Sequence, residues 1–363
     1  MLTSGVSMPV RLLITSGGTG PTESLLRSLR RADPGLFIAT CHDDVFVLKK
    51  SAGAGLYLTP PPQHAGFVDA LHRIVEADGF DLVVPNSDPD VAAVSEARET
   101  IGTRVFLPRK DTIRLCQDKY ALSAYLLDRH LPAPRSCAVT DEASIAEAFR
   151  VLAPAPTLWC RTRTGTGSRG AIPVRTPQQA LSWIEYWRTM RGVPFTEFML
   201  SEYLPGRDFT CESLWKDGVL IVVKTAERLS YFGGAERPSG TSSNAALAKT
   251  VVEPDVVRVS TSVVRALDPH ATGVFSIDLK ADDRGMPSVT EINIGRVFST
   301  TSLFDLVGKH NMAHLYVRLA LDEPVDVVDD DVVPDYYFVR HIDTLPDIVH
   351  ADDVFEGIID ARS

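Results

Sequence analysis

The stretch GVFSIDLKADDRGMPSVTEINIGR, residues 273–296, predicts a β-hairpin with its turn at residues 283–286. With the Arg-Gly pair at the centre of a two-residue loop, Asp278 faces Glu291 on the neighbouring strand. Asn293 shares the face of Glu291, because side chains alternate along a strand. The opposite face is apolar and is expected to enter a core through Phe275, Ile277 and Leu279.

Two acidic side chains that face each other on adjacent strands indicate a bound cation, because like charges in that position destabilise a sheet. Asp278, Glu291 and Asn293 offer oxygen ligands. Mg²⁺ prefers a few protein oxygens and keeps water or phosphate at its other octahedral positions. The hairpin therefore predicts a Mg²⁺ site, with Mn²⁺ as the alternative metal. The other interpretation is a solvated edge hairpin whose acids only confer solubility.

Length and composition narrow the class of protein. The chain has 363 residues, 44% hydrophobic and 23% charged, which predicts two or three packed units. A formal net charge of -10 opposes attraction to phosphate backbones, so nucleic acid is not an expected partner. The five cysteines are scattered, which favours reduced thiols over a disulfide framework or a zinc site.

Nothing in the hydropathy predicts a membrane protein. No uninterrupted apolar run approaches the roughly 18 to 20 residues that a membrane-spanning helix needs. The first residues, MLTSGVSMPVRLLI, lack a basic region ahead of a long apolar segment. We therefore expect a cytoplasmic protein with no membrane partner.

The first third of the chain alternates short apolar runs with amphipathic stretches, which predicts a doubly wound α/β domain over residues 1–110. Asn86 and Asp88 follow a strand, where ligands bind in open α/β sheets. The loop SGGTGPTE, residues 16–23, resembles a dinucleotide-binding turn. Pro21 interrupts the glycine spacing, and no acidic residue ends the next strand, which argues against NAD. The expected elements are strands at 10–15, 36–40 and 81–85 and helices at 22–32 and 66–77.

Beyond this domain, helical and strand patterns continue to residue 321. Asp141 is the expected N-cap of a helix at 140–152. Hairpins are expected at 208–225 and 273–293. The other predicted elements are helices at 112–131, 177–191, 253–267 and 313–321 and strands at 157–161 and 198–203.

The order of these motifs resembles the ATP-grasp superfamily, and within it proteins related to the large subunit of carbamoyl-phosphate synthetase, over nearly residues 10–325. Asp278, Glu291 and Asn293 match the superfamily's metal-binding acid, second acid and asparagine. Arg296 matches an arginine that meets phosphate or a substrate carboxylate. The resemblance implies an ATP-grasp fold behind an N-terminal doubly wound domain. It divides the chain into a pre-ATP-grasp domain at 1–110, a lid subdomain at 111–200, a large subdomain at 201–330 and a C-terminal extension at 331–363.

The resemblance also implies a nucleotide site. Lys119 matches a lysine that contacts phosphates, and glycine lets a loop bring backbone N–H groups close to phosphate. Arg161 and Thr162 stand where the family has lysine and proline, which keeps the charge but changes its geometry. A flexible surface turn is the alternative for the loop. The loop residues expected to bind nucleotide are Gly165, Gly167 and Ser168.

Two further groups complete the predicted site. The hinge residues Glu202, Tyr203 and Leu204 are expected to bind adenine through the backbone, and Asp208 to bind ribose hydroxyls. An ordinary strand ending at a Pro-Gly turn is the alternative. Positioned cations stabilise phosphoryl transfer, and a solvated basic face is the other interpretation of these cations. The expected catalytic cations are Lys224, Arg228 and Arg296.

The activity implied by the resemblance is that of an ATP-dependent carboxylate-amine ligase that forms an acyl phosphate. Its cofactors are ATP and Mg²⁺, its partners a small carboxylate and an amine, and an amino acid is the preferred substrate class. A homodimer is compatible with the resemblance. Arg161 and Thr162 favour the alternative, a nucleotide-binding sensor without turnover. No nucleophilic side chain is needed.

Overall fold

A computed structural model describes residues 9–242, 244–297, 302, 304–306, 308–326, 329–340 and 355–362. These residues form three sheets, with six, four and seven strands. Among these residues, no helix combines the length and the apolar character needed to cross a bilayer.

The six-stranded sheet is parallel and has the order β17-β3-β2-β1-β4-β5. Leu12 and Ile14 pack with helix α1 on one face, and Leu13 packs with α3 on the other, which is doubly wound packing. Its strands are β1 Arg11–Thr15, β2 Phe37–His42, β3 Leu56–Leu58, β4 Leu82–Val84, β5 Arg104–Val105 and β17 Ile358–Asp360. Its helices are α1 Gly20–Ala32, α2 Val45–Leu48, α3 Phe67–Asp78 and α4 Asp88–Glu96.

Helix α4 begins directly after the strand-end residues Asn86 and Ser87. Ser87 has extended backbone and its hydroxyl accepts the N–H of Asp90, which starts the helix. Pro89 is compatible with this position because the first turn of a helix needs no N–H there.

The four-stranded sheet has the order β6-β9-β7-β8 and a core of its own. The predicted cap at Asp141 is confirmed, since its carboxylate accepts the N–H of Ser144 in a capping box. The strands are β6 Ser136–Ala138, β7 Leu158–Thr162, β8 Ile172–Val174 and β9 Phe198–Glu202. The helices are α7 Glu142–Val151 and α8 Pro177–Arg191.

The seven-stranded sheet has the order β14-β13-β10-β11-β12-β16, and β15 pairs with β11. Buried apolar residues from one face of this sheet cluster with α5, α6 and α9, and from the inner end of the other face with α10. The strands are β10 Asp208–Lys216, β11 Val219–Tyr231, β12 Ala245–Thr250, β13 Gly273–Ala281, β14 Pro287–Ile294, β15 Asp329–Asp330 and β16 Tyr337–Val339. The helices are α5 Lys110–Gln117, α6 Lys119–Asp128, α9 Pro254–Leu267 and α10 Met312–Ala320.

The single helix predicted at 112–131 is wrong, because the chain forms two helices that meet at Asp118. That residue has φ -103° and ψ 103°, and its carboxylate accepts the N–H groups of Tyr120 and Ala121. Asp118 thus caps α6, and Lys119 becomes the first residue of that helix.

The hairpin of β13 and β14 has the predicted pairing at the acids but a different turn. Asp278 faces Glu291. The N–H of Asp282 donates to the carbonyl of Met286 at 3.0 Å, which makes the loop three residues long. A bulge between Asp278 and Leu279 then shifts the register by one residue. The longer loop leaves one residue of the first strand unpaired, and the bulge leaves one residue of the second strand unpaired. The two changes cancel, so Asp278 still faces Glu291.

Segments near the C-terminus provide edge strands to two sheets. β16 pairs with β12 of the seven-stranded sheet, and β17 pairs with β3 of the six-stranded sheet. Helix α10 also shares one apolar cluster with α1. The last part of the chain therefore contacts two of the three sheets that border the cleft described next.

Candidate active site

A cleft of about 430 Å³ lies where the three sheets meet. The carboxyl ends of β1 and β4 form one wall, the loop after β7 forms another, and the face of β13 and β14 forms the floor. The predicted site residues that line it are Lys119, Arg161, Gly165, Gly167, Ser168, Glu202, Tyr203, Leu204, Asp208, Arg228, Asp278, Glu291, Asn293 and Arg296.

The acid pair on the floor is surrounded by cations. Arg228 Nη2 donates to Asp278 Oδ1 at 2.6 Å. On the other strand, Glu291 Oε2 lies 3.3 Å from Arg161 Nη1 and 3.8 Å from Lys119 Nζ. Asn293 Nδ2 donates to Asp278 Oδ2 at 3.3 Å. The structure thus brings the three predicted metal ligands together with three of the predicted phosphate-binding cations.

The two carboxyl groups have opposite pKa shifts. Burial raises the pKa of Asp278, Arg228 opposes this effect and the charge of Glu291 adds to it, which together place the pKa at about 7. Burial also acts to raise the pKa of Glu291, but Lys119 and Arg161 lower it to about 2. Glu291 is therefore the permanent anion, and Asp278 is the acid that a cation would help to ionise.

These residues fit a hard divalent cation. Their potential donor atoms are carboxylate and amide oxygens, which Mg²⁺ prefers. Among the described residues, no three His, Cys, Asp or Glu side chains are grouped to hold a metal. A metal in this cleft would therefore have only two acidic ligands, Asp278 and Glu291, and its third protein ligand would be the amide oxygen of Asn293. Such a set leaves octahedral positions for water or phosphate oxygens.

Arg296 joins the N-terminal wall to the floor. Its Nε donates to Asp88 Oδ1, and its Nη2 donates to Asn293 Oδ1. Its side chain is 15% exposed, so the guanidinium borders the cleft without being fully solvated. The arginine thus connects the wall formed after β4 to the predicted metal ligands.

The loop after β7 has the backbone conformation that glycine permits. Gly165 and Gly167 have φ values of 85° and 81°, and Ser168 has φ 55°. A Cβ added at either glycine would meet no atom within 4 Å, so the conformation rather than crowding requires glycine. Lys119 Nζ donates to the Gly165 carbonyl at 2.7 Å. The lysine therefore links the loop to the acid pair.

The hinge offers fewer free backbone donors than the sequence suggests. The N–H of Glu202 donates to the Arg135 carbonyl at 3.0 Å, and that of Tyr203 to the Thr157 carbonyl at 3.3 Å. The Glu202 carboxylate accepts from Arg135 Nε at 2.7 Å. Within the described chain, no hydrogen bond uses the N–H of Leu204.

Asp208 also has a partner within the protein. Tyr231 Oη donates to Asp208 Oδ2, and Arg228 Nη1 lies 3.7 Å from Oδ1. Both residues line the cleft beside Asp208. Its carboxylate would have to share or exchange these contacts to accept a ribose hydroxyl.

Comparison with known proteins gives a consistent fold. No family model matches the chain. The biotin carboxylase domain of Hydrogenobacter thermophilus 2-oxoglutarate carboxylase, a dimer with MgADP, ADP and bicarbonate, superimposes with a TM-score of 0.70 at 13% identity, covering 91% of this chain and 73% of that one. L-amino acid ligase from Bacillus licheniformis gives 0.66 at 16%, covering 88% and 75%. Carboxyaminoimidazole ribonucleotide synthase from Aspergillus clavatus with ATP gives 0.64 at 14%, covering 88% and 78%.

The chain has the ATP-grasp fold. The six-stranded sheet is the doubly wound domain expected in front of it. In the cleft, the four-stranded sheet, with β7 and the loop after it, meets the face of β13 and β14 in the seven-stranded sheet.

Lys224 is the one predicted catalytic residue that this ATP-grasp structure separates from the cleft. Its Nζ lies 2.6 Å from Asp305 Oδ1 and 3.4 Å from Asp331 Oδ2. It also donates to the His310 carbonyl at 2.7 Å. The side chain is 6% exposed and does not line the cleft. Its ammonium group is held by oxygen atoms from the chain beyond β14.

Sequence reasoning missed cleft residues that lie near predicted ones. Trp159 lies two residues before Arg161 on the same face of β7, so strand periodicity would have revealed it. Tyr231 lies at the end of β11, beyond the predicted hairpin. Arg340 comes from the C-terminal segment and carries no local signal. Only the pairing of β16 with β12 brings it to the cleft.

Proposed function

We propose that the protein is an ADP-forming ligase that joins a small carboxylic acid to an amine, with ATP and Mg²⁺. The observation that carries the proposal is the facing pair Asp278 and Glu291 on the cleft floor, with Arg228 beside Asp278 and with Arg161 and Lys119 beside Glu291. The triphosphate of ATP carries about four negative charges, which side-chain cations can neutralise. A divalent metal binds carboxylate and amide oxygens of the kind found here. Similar structures in complex with ATP or MgADP add support.

In this proposal each element of the site has one task. Lys119, Arg161 and the loop of Gly165 and Gly167 hold the phosphates, and the hinge holds the base. Asp278, Glu291 and Asn293 would hold Mg²⁺, which supplies neutralisation of the β- and γ-phosphate charge. Arg228 and Arg296 lie next to these ligands and stabilise charge at the γ-phosphate and the substrate carboxylate.

The chemistry requires no nucleophilic side chain. A carboxylate oxygen of the substrate attacks the γ-phosphorus, the bond to the β-phosphate oxygen breaks, and ADP leaves. The amine nitrogen then attacks the acyl carbon, loses a proton, and phosphate leaves. The protein contributes orientation of the reactants and exclusion of water from the acyl phosphate.

The second candidate function is a nucleotide-binding sensor without turnover. The observation that favours it is the contact of Arg161 with Glu291, since Arg161 Nη2 also donates to the Thr290 carbonyl at 2.5 Å. A guanidinium held in this way neutralises Glu291 from within the protein. A sensor would bind ATP but would not convert it.

The deciding experiment is an ADP-release screen of carboxylic acids against amines, with the product mass determined for each active pair. Release that depends on both an acid and an amine, with a product lighter than their sum by one water, supports the ligase. ATP binding by calorimetry with no release from any pair supports the sensor. The division at residues 110, 200 and 330, the homodimer and the cytoplasmic location remain predictions.

A further inference from the structure

A buried side-chain oxygen at the N-terminal wall of the cleft lacks a hydrogen-bond partner. Asn86 follows β4, is 3% exposed and lines the cleft. Its Oδ1 is buried and accepts no hydrogen bond within the described chain. Buried amide oxygens are nearly always satisfied in native structures, so this one indicates a missing donor.

Neighbouring hydroxyl groups determine how the Asn86 amide is turned. Thr22 Oγ1 donates its single hydrogen to the Thr15 carbonyl at 3.1 Å. Toward Asn86 the same hydroxyl can only accept, and it does so from Nδ2 at 3.0 Å. The N–H of Asn86 is also held, by Thr15 Oγ1 at 3.0 Å. The nitrogen therefore faces Thr22, Oδ1 faces away from it, and the missing partner must be a donor.

The surroundings of Asn86 favour a donor that is positively charged. Asp88 lies two residues further along and lines the cleft. The buried carboxylate of Asp90 accepts the hydroxyls of Thr15 and Ser16, both at 2.6 Å. Asp90 and the N–H of Asn86 share the Thr15 hydroxyl, so the Asp90 carboxylate is near enough to favour an ammonium ion over a neutral N–H.

Two guanidinium groups border the same end of the cleft. Arg296 contacts Asp88, and Arg340 Nη1 donates to Asn244 Oδ1 at 3.1 Å. A Cβ added at Gly20 would lie 3.9 Å from Arg340 Nη2, so Arg340 reaches the start of α1. An organic ion that carries an ammonium group and a carboxylate matches this arrangement of acceptors and cations.

We propose that Asn86 Oδ1 accepts a hydrogen bond from the α-ammonium group of an amino acid bound as the organic substrate. Asn86 thereby selects amino acids over acids of the same shape that lack the amino group. This inference rests on the proposed function, because it assigns the substrate class of that same cleft.

The test compares matched pairs of ligands. The probes are alanine with propionate, leucine with 4-methylpentanoate, phenylalanine with 3-phenylpropionate, glutamate with glutarate, and lysine with 6-aminohexanoate. Their dissociation constants are measured by calorimetry on the full chain with Mg²⁺ and a non-hydrolysable ATP analogue. ADP release is measured in parallel with ATP, each probe and each amine of the screen described above. At least one amino acid is expected to bind about 10 to 100 times more tightly than its partner.

Three variants assign the preference to Asn86. Asn86→Leu has similar size but no acceptor, and is expected to bind both members of the preferred pair equally. Asn86→Asp keeps an acceptor and is expected to keep the preference. Asn244→Leu removes the contact of Arg340 and is expected to weaken both members alike, because both carry a carboxylate.

The outcomes separate this inference from the ligase proposal. ADP release with des-amino acids but not with amino acids would overturn the inference and leave a ligase. Preferential binding of an amino acid that disappears in Asn86→Leu, without ADP release, would support the inference and count against the ligase. Equal affinity within every pair, no binding of any probe, or a preference that survives in Asn86→Leu would overturn the inference. If Asn86→Leu does not fold, the wild-type pairs decide.

Discussion

Lys224 and Arg228 lie on the same face of β11, four residues apart, and have different surroundings. Arg228 lies at the outer end of the face, where it borders the cleft and contacts Asp278. Lys224 lies toward the inner end, where Asp305 and Asp331 enclose its ammonium group. Strand periodicity assigns a face but not a depth. Whether a side chain on this face of β11 can reach a ligand depends on which other segments of the chain cover it.

The cover at the inner end comes from later parts of the chain. Asp305 accepts the N–H groups of Met312 and Ala313 at 3.1 and 3.2 Å, so it binds the start of α10 and Lys224 together. Ser28 on α1 also donates to Asp305 Oδ2, at 3.1 Å. Lys224 is therefore part of a network that joins the large sheet, α10 and the N-terminal domain. The following predictions test this contrast.

The largest effect is expected from Lys224→Met. Two buried acids would lose their cation, and breaking a buried ion pair in this way costs about 3–5 kcal/mol. Urea unfolding should show that loss, while the affinity of the folded protein for ATP stays unchanged. Lys216→Met is the matched control, because Lys216 pairs at the surface with Asp322 at 3.2 Å and should cost less than about 1 kcal/mol. Normal stability combined with weak ATP binding would assign Lys224 to the phosphates after all.

The next largest effect is expected from Glu291→Gln. The substitution keeps the size of the side chain but removes the permanent anion, so ATP turnover should fall about 10² to 10³-fold. Half-saturation with Mg²⁺ should move to higher concentration. Glu227→Gln serves as the control, because Glu227 on β11 pairs with Arg207 and does not line the cleft. Unchanged turnover and Mg²⁺ dependence in Glu291→Gln would remove the metal from the acid pair.

Arg228→Met tests the outer end of the β11 face directly. Turnover should fall about 10²-fold, because a cation next to the γ-phosphate is lost. The loss of unfolding free energy should be smaller than in Lys224→Met, since Asp278 can take up a proton once its partner is removed. Its pKa of about 7 would rise further without Arg228, which makes the neutral acid accessible near neutral pH. A stability loss as large as that of Lys224→Met would show that both ends of the face are structural.

The smallest effect is expected from Gly167→Ala. An alanine at φ 81° is strained by about 1 kcal/mol. We expect the loop to relax this strain in the free protein and to bear it only when it holds phosphate, so ATP affinity should fall about fivefold with little change in stability. Gly192→Ala is the matched control, because Gly192 ends α8 at φ 67° and also has open space around it. That variant should lose about 1 kcal/mol of stability and keep its ATP affinity. Equal ATP affinity in both variants would show that the loop after β7 does not hold phosphate.

Local sequence signals predicted the fold well where the deciding interactions are local. The helix at 177–191 is found at the same residues, and the cap at Asp141 forms as expected. The pairing of Asp278 with Glu291 is also found. The break at Asp118 was missed, because an aspartate inside a helical pattern has the same spacing as a surface residue.

The sequence predicted most of the residues that line the candidate site, but not all of them. Fourteen of the fifteen predicted residues line one cleft, since Lys224 alone among them is absent from its walls. The motif order carried these predictions. Trp159, Tyr231 and Arg340 were missed, and Asn86 was flagged only as a strand-end residue. The exposure of a side chain and the donors around it depend on segments far away in the sequence.

The sequence by itself determined which residue types alternate on each strand, where the caps and glycine turns lie, and that two acids face each other across one hairpin. These follow from short-range geometry and hydrogen bonding. Tertiary structure alone decided that Lys224 is enclosed, that Arg340 reaches the cleft through β16, and that Asn86 Oδ1 accepts no hydrogen bond from the residues that the structure describes. The physical reason is that burial and ion pairing depend on distances between groups up to hundreds of residues apart, which no local pattern specifies.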